Sequence, residues 1–63
     1  MNRHVIVIYE TDEEREIAER KVRTYIRRGD TASTARSITD AMRISEGMDF
    51  PVIFVDIRKS ATD

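Results

Sequence analysis

The sequence predicts a small α+β domain in the order strand, helix, helix, strand, with two helices packed on a small antiparallel sheet that a second copy of the chain completes. Three observations predict it. Two short β-branched runs are apolar on both faces, and between them lie two amphipathic stretches at helical spacing. The chain has only 63 residues and no cysteine to staple them.

The first strand is His4-Val5-Ile6-Val7-Ile8-Tyr9, β-branched and aromatic throughout and followed by acidic residues from Glu10. Val5, Val7 and Tyr9 share one face, and Ile6 and Ile8 share the other. A half-exposed strand alternates polar and apolar residues, so this one needs cover on both sides.

The first helix is predicted over 12–28. Thr11 with Glu14 forms a T-x-x-E capping box, in which the threonine hydroxyl serves the Glu14 amide and the glutamate reaches back. Asp12, Glu13 and Glu14 suit the positive end of the helix dipole, and Arg27 and Arg28 suit the negative end. Gly29 fits a left-handed stop. Ile17, Ala18, Val22, Tyr25 and Ile26 make one apolar stripe. Glu16 with Arg20 and Glu19 with Arg23 are i,i+4 pairs in the favourable order.

Several competing cap residues, Asp30-Thr31-Ala32-Ser33-Thr34, place the start of the second helix between Thr31 and Thr34. Its apolar positions are Ala35, Ile38, Ala41 and Met42, with Ile44 to one side, and Gly47 ends it. Pro51 then opens the second strand, Val52-Ile53-Phe54-Val55-Asp56-Ile57, where a first-position proline is tolerated. A single domain thus spans 1–58, with a polar tail over 59–63.

Short connections turn both helices back, so the two strands run antiparallel if they share a sheet. Two helices on one face leave the other face bare and both edges open, and an isolated two-stranded sheet is marginal. A chain of this length buries only about 60% of the surface its unfolded form exposes. With disulfides excluded and a metal staple not visible, homodimerisation is the expected remedy. The residues expected in the core or dimer contact are Val5, Val7, Tyr9, Ile17, Val22, Tyr25, Ile26, Ile38, Met42, Val52 and Phe54. An aspartate at Val7 or Phe54 is expected to unfold the protein.

Composition excludes several function classes. Eleven basic and twelve acidic residues give a net charge of −1, so no global field draws the chain to nucleic acid or to an anionic membrane. No stretch has the length of a membrane span or signal-peptide core, which makes a reducing cytoplasm the expected compartment. His4 is the single histidine and has no serine or carboxylate partner in a recognisable pattern, so no catalytic residue is assigned. The acidic trio 12–14 is explained by the helix start, and no metal or cofactor is expected. Arg20, Arg23 and Arg27 fall at i, i+3 and i+7, with Lys21 and Arg28 beside them. They form a candidate contact for a protein partner or for phosphate, weighed against a solvated face laced with Glu16 and Glu19. The hydroxyls of Thr31, Ser33, Thr34, Ser37 and Thr39 are read as helix-start residues rather than an anion site.

Two segments resemble known families. Strand, helix, helix, with Arg27-Arg28-Gly29 between the helices and Ile38…Ala41-Met42-Arg43 in the second, resembles the ribbon-helix-helix repressors over residues 3–46. That resemblance implies strands of two subunits paired as a ribbon and a DNA-binding regulator. The sequence departs from it in having no polar strand face to read base edges, a longer spacing from Gly29 to Ile38, and an extra strand. Phe50-Pro51-Val52-Ile53-Phe54-Val55-Asp56 is similar to the proline-led strand of glutaredoxins, but a chain without cysteine carries no thiol redox activity. In size and arginine content the chain also resembles accessory proteins of temperate bacteriophages, which would imply a role in modulating host or phage development. A computationally designed protein is a further alternative, to which the untidy 31–37 stretch conforms poorly. The leading expectation is a non-enzymatic homodimeric interaction or regulatory protein, with the DNA-binding regulator as its alternative.

Overall fold

The computed structural model describes residues 2–59. Five elements follow one another: β1 (His4–Ile8), α1 (Asp12–Tyr25), β2 (Thr31–Ala35), α2 (Ile38–Glu46) and β3 (Val52–Asp56). The strands form one sheet in the order β2-β1-β3, and both pairings are parallel. His4 lies opposite Thr31 on one side and Val52 on the other. Apart from Lys59, the expected polar tail lies outside the described residues.

The antiparallel two-stranded sheet is therefore corrected to a parallel three-stranded one, and the cause is β2. Thr31 to Ala35 was expected to open the second helix because Thr and Ser are good caps. Threonine is also β-branched and suits a strand. With a strand between the helices, each helix returns the chain to the direction it started from, and parallel pairing follows.

The helices also do not share one face. α1 covers Val5, Val7 and Tyr9 through Ala18, with Val22, Ala32, Val55 and Ile57 packed around them. α2 covers Ile6, Ile8 and Ala35 through Ala41, with Ile44 and Val52 beside them. One helix to each face, with β2 and β3 on either side of β1, is what two crossovers of the same hand produce. β1 is thus shielded above, below and along both edges by its own chain. Val5, Ile6 and Val7 are essentially inaccessible to water, and each such side chain contributes roughly 1.5–3 kcal/mol.

Local chemistry sets the helix boundaries. The capping box at Thr11 and Glu14 forms in both directions. α1 ends at Tyr25 rather than Arg28, with Ile26 already extended. The cause is Asp30, whose carboxylate takes the Arg27 amide at 2.8 Å while its own N–H donates to the Arg27 carbonyl at 2.9 Å. That local bonding competes with another helical turn. Gly29 has a positive φ of 91°, but in this turn and not as the helix stop itself. The cap that starts α2 is Ser37, whose hydroxyl accepts the Asp40 amide at 3.1 Å.

Candidate interaction surface

Ala41 decides how α2 sits. With no side chain beyond Cβ it lets the helix press onto Ile6, Ile8 and Ala35, over β1 and β2. The same face of β3 is left without a helix. Phe54 is 47% exposed there, flanked by Ile38 at 46% and Met42 at 55%, one turn apart on α2. Ile8, Ile38, Met42, Phe54 and Asp56 line a shallow and almost wholly apolar groove. Exposed apolar groups gathered at one place mark a contact surface more often than scattered ones do. Beside it, among the described residues, no strand pairs with the outer edge of β3.

In open parallel α/β sheets, ligands bind outside the carboxyl ends of the strands, where the strand order reverses. Here that point lies between β1 and β3, and the chain's own side chains fill it. The Glu14 carboxylate is buried and accepts backbone N–H groups from Glu10 at 2.8 Å, Thr11 at 3.1 Å and Lys59 at 2.9 Å. Those donors, Lys59 first and Thr11 next, hold its pKa below the ordinary glutamate value, against the opposing effect of burial. Asp56 is clasped by Arg58 at 2.7–3.2 Å. The Arg58 guanidinium lowers the Asp56 pKa, and Asp56 raises that of Arg58. Arg36 reaches Asp12 at 3.5 Å and lies 6.0 Å from the centre of the Tyr9 ring. These groups mostly hold one another, an arrangement that fastens loops. Among the described residues no three His, Cys, Asp or Glu side chains converge as metal ligands.

The opposite pole is tied by Arg3 and Asp30. The guanidinium donates to the Asp30 carboxylate through Nε at 3.1 Å and Nη2 at 2.9 Å, and the Arg3 amide donates at 3.1 Å. The Arg3 side chain, and after it the Arg27 amide, depress the Asp30 pKa. His4 is buried on the α2 face, with Nδ1 2.6 Å from the Thr31 hydroxyl and Nε2 2.8 Å from that of Ser33. Both ring nitrogens are thus engaged, and two hydroxyls read as helix-start residues instead fasten β2 to β1.

The residues singled out in the sequence divide by place. Val5, Val7 and Tyr9 are buried under α1, with Val22 half-buried beside them. Ile17, Tyr25 and Ile26 are exposed by 37–41%, Tyr25 and Ile26 beside Arg3 and Arg27 in a shallow depression. Ile38, Met42 and Phe54 meet at the groove, with Val52 half-buried nearby. Arg20 and Arg23 are exposed on α1, whereas Arg27 falls beyond the helix end and leaves the proposed stripe. Along α1, Arg15 and Glu19 close an ion pair at 3.8 Å. Arg3, Asp30, Asp56 and Arg58 were not anticipated. An acid ending an apolar strand and a base two residues later is the one local signal they offered.

The central, buried place of β1 removes the ribbon that the repressor resemblance implies, because both edges of that strand are already paired. No described helix is long and apolar enough to cross a membrane. No protein-family model matches the chain, and no curated protein or solved structure matches it either.

Proposed function

We propose that the protein is a non-enzymatic interaction protein whose working surface is the outer edge of β3 with the groove beside it. The partner that fits is a polypeptide with an extended apolar segment, which adds to the sheet through backbone hydrogen bonds and covers Phe54. The observation that carries this reading is the coincidence of two unmet needs at one place. Ile38, Met42 and Phe54 are about half exposed, and among the described residues no strand pairs with the edge beside them. A cytoplasmic setting accords with the reading, since a chain without cysteine draws nothing from an oxidising compartment.

A photocrosslinking side chain placed at Met42, and separately at Arg20, tests it in cells that make the protein. Polypeptide adducts of defined mass from Met42, and none from Arg20, are expected. Adducts from Arg20 alone would move the working surface to the arginine face of α1 and defeat the proposal.

A further inference from the structure

Charge is unevenly spread along the chain. Residues 10–19 hold six acids and one base, whereas 20–28 hold five bases and no acid: Arg20, Lys21, Arg23, Arg27 and Arg28. The net charge of −1 conceals that division. Glu16 and Glu19 temper Arg20 and Arg23 from one turn away. The next acid in the chain is Asp30, whose side chain is 2% exposed and clasped by Arg3. Arg3, Arg15, Arg36, Arg43 and Arg58 each meet a carboxylate. Among the described residues, none of the five bases of 20–28 closes an ion pair. A helix end favours a base in its last turn, which Arg23 supplies. Arg27 and Arg28 lie beyond the helix, where that need has been met.

The same end of the molecule holds a shallow depression between the end of α1 and the starts of β1 and β3. Val5 and Ile53 give it apolar surface, Tyr25 and Ile26 stand beside them, and Arg3 and Arg27 contribute charge. Tyr25 is 41% exposed, and among the described residues its ring has no aromatic or cation–π partner. Ile53 and Phe54 point to opposite faces of β3, so this depression and the apolar groove are separate sites.

We infer that this end binds a single-stranded nucleic acid, with one base lodged against Tyr25 and the neighbouring phosphates met by Arg23, Arg27 and Arg28. The inference goes beyond the polypeptide edge of β3 and does not depend on it. Two kinds of group found together select this ligand. Guanidinium groups match phosphate oxygens in bidentate fashion, and an unengaged ring within a basic surface offers a stacking platform. An acidic protein would use the charge and leave the ring and the apolar seat idle. A membrane surface calls for apolar side chains that project, and Val5 is buried in a recess. A duplex keeps its bases stacked inside, away from Tyr25. The acids at the far end of α1 repel the strand only weakly. Its 14 residues at ~1.5 Å each span roughly 20 Å, more than twice the ~8 Å screening length at physiological salt.

Fluorescence anisotropy of the full chain, with a short labelled oligouridylate and the matching oligothymidylate, tests this over a range of salt. Binding is expected at low salt, with log K falling against log salt at a slope of about −2 to −3.5, as for roughly three to five phosphates. Tyr25→Leu should weaken binding about five-fold or more at every salt concentration and leave the slope unchanged. Arg23→Gln with Arg27→Gln should instead make the slope shallower by about 1.4. All three substitutions fall on exposed side chains, and an unchanged circular dichroism spectrum checks that the variants fold. Binding of either strand with these two responses supports the inference, and the ratio of the affinities tells RNA from DNA. No binding at low salt overturns it, as does a Tyr25→Leu variant that binds like the wild type. Tighter binding of a matching duplex, of polyglutamate or of phosphatidylserine vesicles also overturns it, and passes this end to that class of partner.

Discussion

The Glu14 carboxylate accepts the backbone N–H of Lys59 at 2.9 Å, across 45 residues of sequence. The same carboxylate closes the capping box at the start of α1. One side chain therefore anchors a helix to its own first turn and ties the segment after β3 to the loop after β1. A cap serves a single helix end; this one also clasps the two strand ends at the reversal point of the sheet.

That double role has a pH signature. The pKa values of Glu14, Asp30 and Asp56 are all depressed relative to the ordinary 4.5 for glutamate and 3.8 for aspartate. A depressed carboxyl contributes stability that is complete above its ordinary value and is lost as pH falls through its folded-state value. Melting temperature should therefore hold from neutrality down to the ordinary carboxyl range and then fall steeply below it. Glu14→Gln should melt lower at neutral pH and show a shallower acid decline. Superimposable pH–Tm curves for the two proteins would show that the carboxylate charge does not matter.

Ile6 is completely buried and Ile17 is 38% exposed, although both belong to apolar patterns. Ile6→Ala is expected to cost roughly 2–5 kcal/mol in urea unfolding. Ile17→Ala should cost well under half of that. Equal losses would mean that α1 packs against something that covers Ile17.

The two glycines should respond in opposite ways to alanine. At Gly29 a Cβ would stand 2.7 Å from the Asn2 side-chain oxygen, on a backbone with φ of 91°. Gly29→Ala should destabilise. At Gly47 the nearest atom to a new Cβ is 4.0 Å away and φ is −88°. Gly47→Ala should be neutral or should stabilise by up to about 1 kcal/mol, through lower entropy of the unfolded chain. Thermal denaturation of both variants decides the matter.

Thr11→Ala removes the hydroxyl that accepts the Glu14 amide at 3.1 Å. A loss of about 1 kcal/mol is expected, and Thr11→Ser should recover most of it. If serine is no better than alanine, the cap contributes through the threonine methyl and not through its oxygen.

The capping box and the two double-faced apolar runs were legible because their residues have one local solution. The need of the His4–Ile8 run for cover on both sides was legible too, yet it led to a second copy instead of a helix on each face. The obstacle was Thr31–Ala35. Its residues serve a strand edge or a helix cap equally well, and the choice is made by His4, whose ring nitrogens meet the Thr31 and Ser33 hydroxyls. No local pattern encodes that contact. With β2 missed, the parity of the chain was wrong, and both strand direction and helix placement followed it. The groove could not be foreseen for the same reason: Ile38 and Met42 read as core, and their exposure depends on α2 lying over β1 and β2.

The central position of β1 has a kinetic consequence. Of the three strands, β1 is made before both of its neighbours, and β3 emerges only after both helices. Until then Val5 to Ile8 is a sticky ribbon with no finished groove to enter. Pairings this distant along the sequence slow folding relative to a helical bundle of equal length. Nascent chains of this protein should accordingly be most prone to clump in the interval between the appearance of α1 and the arrival of Phe54.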